Sequence, residues 1–147
     1  MMFEGKVIER KGTIEAKITV SYYSEIEQQN QRSIFSTVLY TEYQNHKINI
    51  IDTPGSDDFV GAVITAMRPA DVCVMTINSQ YGVEVGTEIF GRQAERLKKL
   101  RIFAVNQLDQ EKANFEQTLE SLKVSFGAKV AVVQYPVNAG TSFDSII

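Results

Sequence analysis

Val72-Cys73-Val74-Met75-Thr76-Ile77 is the stretch on which the fold turns. A short, near-continuous apolar run of this kind is the pattern of a parallel strand covered on both faces, provided helices flank it. They do. Before it, Phe59, Val60, Val63, Ile64 and Met67 recur at three- and four-residue steps up to Arg68-Pro69, which predicts a helix that the proline stops. After it, residues 87–99 predict a second helix, with Ile89, Phe90, Ala94 and Leu97 on one side and Lys98-Lys99 in its last turn. Further on come a strand at 102–105, a helix at 111–125 with Phe115, Leu119 and Leu122 inward, and a strand at 129–133. Upstream, residues 34–43 are rich in β-branched and aromatic side chains and read as a strand. Gln44-Asn45-His46 is the turn and 47–51 the returning strand of a hairpin. Residues 14–32 are polar, rich in Glu and Gln, and lack a clean period, so they read as loop. Strands alternating with helices imply an α/β fold, a doubly wound, mostly parallel sheet with helices on both faces. Ligands in such sheets bind beyond the carboxyl ends of the strands, which singles out the loops after Ile51, Ile77 and Val105.

The chain has 147 residues, 44% apolar and 22% charged, the size and composition of one ordinary globular domain. A net charge of −3 gives no overall basic field for gripping nucleic acid, although a local patch would vanish in that average. The single cysteine, Cys73, can form neither an internal disulfide nor a Cys-pair metal site, and reads as a small buried hydrophobe. The single histidine, His46, falls at the hairpin turn with no acidic or thiol partner nearby and reads as plain surface. The start, Met1-Met2-Phe3-Glu4-Gly5-Lys6, has no apolar stretch behind it as a signal peptide would. No run approaches the roughly 20 apolar residues of a membrane span, so a cytoplasmic protein is expected.

Two of the three loops carry chemistry. Asp52-Thr53-Pro54-Gly55 follows the apolar Asn49-Ile50-Ile51. An aspartate at a strand end can hold the outer shell of a magnesium ion. A glycine three residues on can bring its N–H against a terminal phosphate, having no Cβ in the way. Alone, the pattern is as well explained by a turn into a helix. Asn106-Gln107-Leu108-Asp109 follows the strand at 102–105. An aspartate fixed there can accept two hydrogen bonds from the N1–H and N2 amino group of guanine, a donor pair that adenine lacks. Each motif alone is common; the two at successive strand ends are not. Asp57 and Asp58 could hold a metal, but acids opening a helix more simply answer its dipole. Lys98, Lys99 and Arg101 could touch RNA; a solvated helix end is the plainer account.

With those motifs in place the chain resembles the translation GTPases, elongation factor G above all. Asn49 through Phe59 is similar to that family's second switch, Tyr81-Gly82-Val83-Glu84-Val85-Gly86-Thr87-Glu88 to its "SGVEPQTE" segment, and Arg92-Gln93-Ala94 to the "RQA" that follows. Gln31-Arg32-Ser33-Ile34 falls where the family has its first switch, "ERGITI", and residues 135–147 resemble its "LPIG…FxGIID" stretch. The resemblance implies a GTP-binding domain whose parent takes GTP or GDP with Mg2+ and acts on the ribosome in translocation. It assigns Asp52, Gly55, Asn106, Gln107 and Asp109 to the nucleotide and Asp52, through water, to the magnesium ion. It implies no membrane and no DNA as partner.

The departures from the family's pattern carry expectations too. No G-x-x-x-x-G-K-[ST] surrounds Gly5 or Gly12, and the family's second base-binding loop, "SAL", lies beyond the equivalent of Ile147. The chain therefore reads as a partial domain over 1–147, truncated at both ends, holding no nucleotide by itself. The family's catalytic histidine is Ser56 here, its magnesium-binding threonine is Phe35 (with Ser36 or Thr37 as substitutes), and its base-covering lysine is Gln107. Losing one positioned catalytic group costs roughly 10²–10³-fold in rate, so poor GTP hydrolysis is expected of the parent, and whether the chain is itself an enzyme stays open. The alternative is a nucleotide-independent ribosome-binding or regulatory module on the same fold. A receiver-type signalling domain is disfavoured, because its acidic cluster and lysine are not seen. In this family the strand before the phosphate loop lies mid-sheet. Without it, the strand ending at Ile51 and the strand 72–77 are expected to show open edges. The chain then self-associates, or rebuilds its sheet with residues 6–9 or 18–23.

Overall fold

The computed structural model describes residue 8 and residues 19–147. It divides into two compact units, Met1–Ala70 and Asp71–Ile147.

In the first unit, a helix α1 (Glu25–Asn30) occupies the segment read from sequence as loop. Its hydrophobic period is too short to register, but its cap is explicit. Ser24 accepts from the Glu27 N–H while the Glu27 side chain accepts from the Ser24 N–H, a reciprocal capping box. Gln31 ends the helix in the left-handed region, φ 53°. Strands β1 (Thr37–Tyr43) and β2 (His46–Asp52) form the expected hairpin, in register from Tyr43 opposite His46 to Thr37 opposite Asp52. The turn is two residues rather than three: Gln44 and Asn45 both have positive φ, 47° and 61°, as a two-residue primed turn requires. His46 is thus the first residue of β2, exposed, with Nδ1 2.8 Å from the Gln44 carbonyl oxygen. A short 3-10 turn (Asp57–Phe59) leads into α2 (Val60–Met67), which buries Val63, Ala66 and Met67 and stops ahead of Pro69.

In the second unit, β3 (Val72–Asn78) and β4 (Leu100–Asn106) pair in parallel, with Val72 opposite Leu100 and Asn78 opposite Asn106. The crossover between them is α3 (Val85–Arg96), and α4 (Phe115–Phe126) follows β4. Met75, Ile77 and Leu122 form the buried centre, with Val83, Phe90, Phe103, Val105, Phe126 and Val130 packed around it. Helix α3 comes so close to α4 at Gly91 that a Cβ there would run into the Phe126 ring. That ring also lies 4.9 Å from Phe103, and the Arg101 guanidinium sits 5.6 Å over it.

Three expectations are corrected here. Strand β3 is not covered on both faces: Cys73, Met75 and Ile77 are buried, whereas Val72, Val74 and Thr76 are exposed, Val74 to 64%. Apolar content hid a period-two burial pattern, because the residues on the open side are themselves β-branched. Residues 129–133 form no strand, and Val133 is 92% exposed. No described strand pairs with that segment. The next pairing is instead the short antiparallel β5 (Pro136–Val137) with β6 (Ser145–Ile146). Helix α3 ends before Lys98, whose φ of 54° breaks the helical path. Among the described residues β2 pairs only with β1 and β3 only with β4, so each has an open edge. Of the two substitute strands, residues 19–23 are not strand, and 6–9 (Ile8 excepted) and Ile18 lie outside the described residues.

Candidate functional site

In the first unit the candidate loop leaves β2 at Asp52, a half-buried residue directly across the ladder from Thr37. The Thr37 hydroxyl donates to the Ser21 carbonyl at 3.1 Å and is thereby used. The neighbouring Ser36 Oγ is buried and has no hydrogen-bond partner among the described residues. Phe35, expected from the resemblance to stand where the family has its magnesium-binding threonine, has its ring 6.3 Å from that of Tyr23. Among the described residues no three His, Cys, Asp or Glu side chains converge. An aspartate carboxylate and a serine hydroxyl are the kind of oxygen donors that a magnesium ion takes, with phosphate and water as its other ligands. Pro54 is buried and fixes the chain before Gly55, which is exposed with open space where a Cβ would point. Ser56 caps the 3-10 turn. Its Oγ donates to Asp58 Oδ2 at 3.2 Å, and its carbonyl accepts from the Phe59 N–H at 3.0 Å.

The first-switch region is organised by a residue that the sequence reading did not single out. Glu27 is 0% exposed. Its Oε1 accepts from the N–H groups of Ile34 (2.9 Å) and Phe35 (3.0 Å), and its Oε2 from that of Ser24 (3.2 Å). Burial pushes its carboxyl up, but the donors from Phe35, Ile34 and Ser24 together outweigh burial and hold it below the ordinary glutamate value. The Ser-x-x-Glu spacing was the signal available in the sequence.

In the second unit, the loop after β4 is a tight turn. Asn106, Gln107 and Asp109 are exposed while Leu108 is buried beneath them. Gln107 sits in the left-handed region at φ 58°, where a residue with a Cβ is strained by about 1–2 kcal/mol. Three contacts hold it there. Its carbonyl accepts from the Gln110 N–H at 3.2 Å and from the Ser79 hydroxyl at 2.7 Å, and its Oε1 accepts from Asn78 Nδ2 at 2.6 Å. The Leu108 carbonyl accepts from the Gly140 N–H at 2.7 Å. The third strand-end loop, after β3, is therefore part of this site. It contributes the side chains of Asn78 and Ser79, which sequence reasoning missed because neither residue type announces itself at a strand end.

A family model described as the elongation factor Tu GTP binding domain matches residues 1–146. The chain is 34% identical over 125 residues to the elongation factor G-like protein of Thermotoga maritima, covering 85% of this chain and 18% of that protein. It is 37% identical over 124 residues to elongation factor G of Mycoplasma pneumoniae, covering 83% and 18% respectively. A crystal structure of a protein from Thermus thermophilus superposes with a TM-score of 0.91 at 27% identity, over 99% of this chain and 22% of that one. The chain thus spans about a fifth of the length of these relatives, between 18% and 22%. No helix among the described residues is long and apolar enough to cross a membrane. With this fold, a P-loop GTPase-type α/β architecture, and both motif loops at strand ends, the chain belongs to the family of the elongation factor Tu GTP-binding domain, on its elongation factor G-like side.

Proposed function

We propose that residues 1–147 are one partial GTP-binding domain of an elongation factor G-like translation GTPase. The parent takes GTP or GDP with magnesium and acts on the ribosome in translocation, in the cytoplasm. The observation that carries this reading is the turn at 106–109, which presents Asn106 and Asp109 to solvent at the carboxyl end of a parallel strand. Asp109 receives the two donors of the guanine edge, and Asn106 braces the base and the neighbouring loop. Gly55 gives its N–H to the terminal phosphate. Asp52 and Ser36 stand on the magnesium side, Ser36 supplying the hydroxyl that Phe35 lacks. The test is calorimetric titration of GDP and ADP into the parent protein and its Asp109→Ala variant. GDP-selective binding that the variant loses is expected; ADP binding as tight as GDP, or an unaffected variant, refutes the reading. The chain alone, without a phosphate loop in its sequence, gives no heat.

Hydrolysis by the parent is slow, by roughly the 10²–10³-fold that one positioned catalytic group provides. Ser56 lacks an imidazole, and its hydroxyl is engaged with Asp58. Ordinary ribosome-stimulated GTP turnover by the parent would sink this part. A second reading, a ribosome-binding module indifferent to nucleotide, is favoured by Gln107, whose side chain is tied to Asn78 instead of reaching over a base. Ribosome co-sedimentation that is the same with GTP, with GDP and without nucleotide would favour it over the first. The open edges of β2 and β3 support self-association of the chain, which sedimentation velocity as a function of concentration tests.

A further inference from the structure

We infer that Ser79 is the positioning residue of the Asn106–Asp109 base-recognition turn, an assignment that deepens the function proposed above and rests on it. Ser79 is 1% exposed, and all three of its polar groups are spent on the turn and the helix beyond it. Its N–H donates to the Asn106 carbonyl at 3.0 Å, and its hydroxyl donates to the Gln107 carbonyl at 2.7 Å. Its own carbonyl accepts from the Asn114 N–H at 2.9 Å and from the Thr118 hydroxyl at 3.1 Å. Thr118 is equally buried, at 1%, so the hub is dry and each of its bonds is stronger than at a surface.

The N–H bond continues the β3–β4 ladder, and any residue could make it. The hydroxyl bond is what the serine adds. It lands on the carbonyl of the residue held at positive φ, the same carbonyl that closes the turn onto Gln110. Asn78 grips the side chain of that same residue. The left-handed turn at Gln107 is thus fixed by its carbonyl and by its side chain, and it sets where Asp109 stands two residues later. An aspartate reading two donors at once tolerates little displacement, since hydrogen bonds weaken steeply with angle. Through its carbonyl, Ser79 also ties the turn to the start of α4. Base recognition, the β3 end and α4 are therefore one connected unit built on a side chain that never meets the base.

The test reads the turn directly, by amide hydrogen exchange in the chain without ligand, and reads recognition separately, by adding guanosine or adenosine monophosphate as base probes to the parent protein. In Ser79→Ala the Gln110 and Gly140 amides are expected to exchange about fivefold faster, the scale of one lost hydrogen bond. Amides of Met75 and Ile77 in the ladder keep their rates, and Ser79→Thr, which restores a hydroxyl, restores the wild-type pattern. If Ser79→Ala does not fold, Thr118→Val removes the anchor on the Ser79 carbonyl and is expected to loosen the same two amides. Unchanged exchange at Gln110 and Gly140 in a folded variant, or acceleration spread evenly over β3 and β4, overturns the assignment. Absence of any guanine preference in the parent protein is a separate outcome. It counts against base reading by this turn, and the exchange arm still decides what Ser79 does.

Discussion

Replacing Glu27 by glutamine tests how the first-switch segment is held. The carboxylate satisfies three backbone donors, Ile34 and Phe35 on one oxygen and Ser24 on the other. Glutamine can keep the oxygen that serves Ile34 and Phe35, but it presents an NH2 group to the Ser24 N–H, donor against donor. One bond of the capping box is lost, at about 1.5–3 kcal/mol for a hydrogen bond to a charged group. The remaining two fall from charge-assisted to neutral strength, which about halves each. Against this stands the desolvation of a buried charge, which glutamine avoids. We take the net cost as about 2 kcal/mol, equivalent to about a thirtyfold rise in local opening. The assay is amide exchange at Ile34 and Phe35 at neutral pH, compared with amides of the β1–β2 ladder. Protection of those two amides that stays within about threefold of wild type refutes the reasoning, because at that size the carboxylate contributes no more than a surface pair.

The same group gives a pH dependence whose sign is fixed. Its folded-state pKa is lowered, so its contribution is complete above the ordinary glutamate value of about 4.3 and is lost as pH falls through the lower folded value. Wild-type protection at Ile34 and Phe35 should fall as pH drops below about 4.3, after correction for intrinsic exchange, while Glu27→Gln shows no such step. Gly91→Ala should destabilise the second unit by about 1–3 kcal/mol, the usual cost of overpacking, since its Cβ meets the Phe126 ring; an unchanged urea midpoint would mean the ring moves freely. Cys73 is buried, and its thiol is pushed up by that burial despite Lys99 and Arg101 nearby. It should therefore react with a disulfide reagent only as the chain unfolds. Prompt labelling of the native chain at neutral pH would contradict the burial.

Much of this protein was legible without coordinates, because the deciding features are local. The hairpin declared itself through β-branched and aromatic strands around Gln44-Asn45, the helix at α2 through its three- and four-residue spacing, and the parallel pair through two apolar runs separated by an amphipathic helix. The motif loops were legible because strand ends are where such a sheet keeps its chemistry, so spacing alone brought Asp52 and Asp109 to notice. Helix α1 was missed because six residues carry too little hydrophobic period; only the cap at Ser24 and Glu27 marks it. The strand expected at 129–133 failed because a β-branched run states only a preference, and the segment pairs with no described strand.

By itself, then, the sequence determined the alternation of elements, the family, and which residue types stand at the two strand ends, all properties carried by neighbours along the chain. The tertiary structure decided which of those residues are free to act and which are occupied. Ser56 is spent on a cap, Thr37 on Ser21, and Gln107 on Asn78, while Ser36 Oγ is left without a partner among the described residues. It also decided that Glu27 and Ser79, unremarkable as letters, are the points at which the segment at Ile34 and Phe35 and the turn at 106–109 are held. Burial and hydrogen-bond satisfaction are relations between residues distant in sequence. Glu27 reaches seven and eight positions along the chain, and Ser79 reaches Gln107 and Thr118 across whole elements. No local pattern encodes such a distance; only the packed chain fixes it.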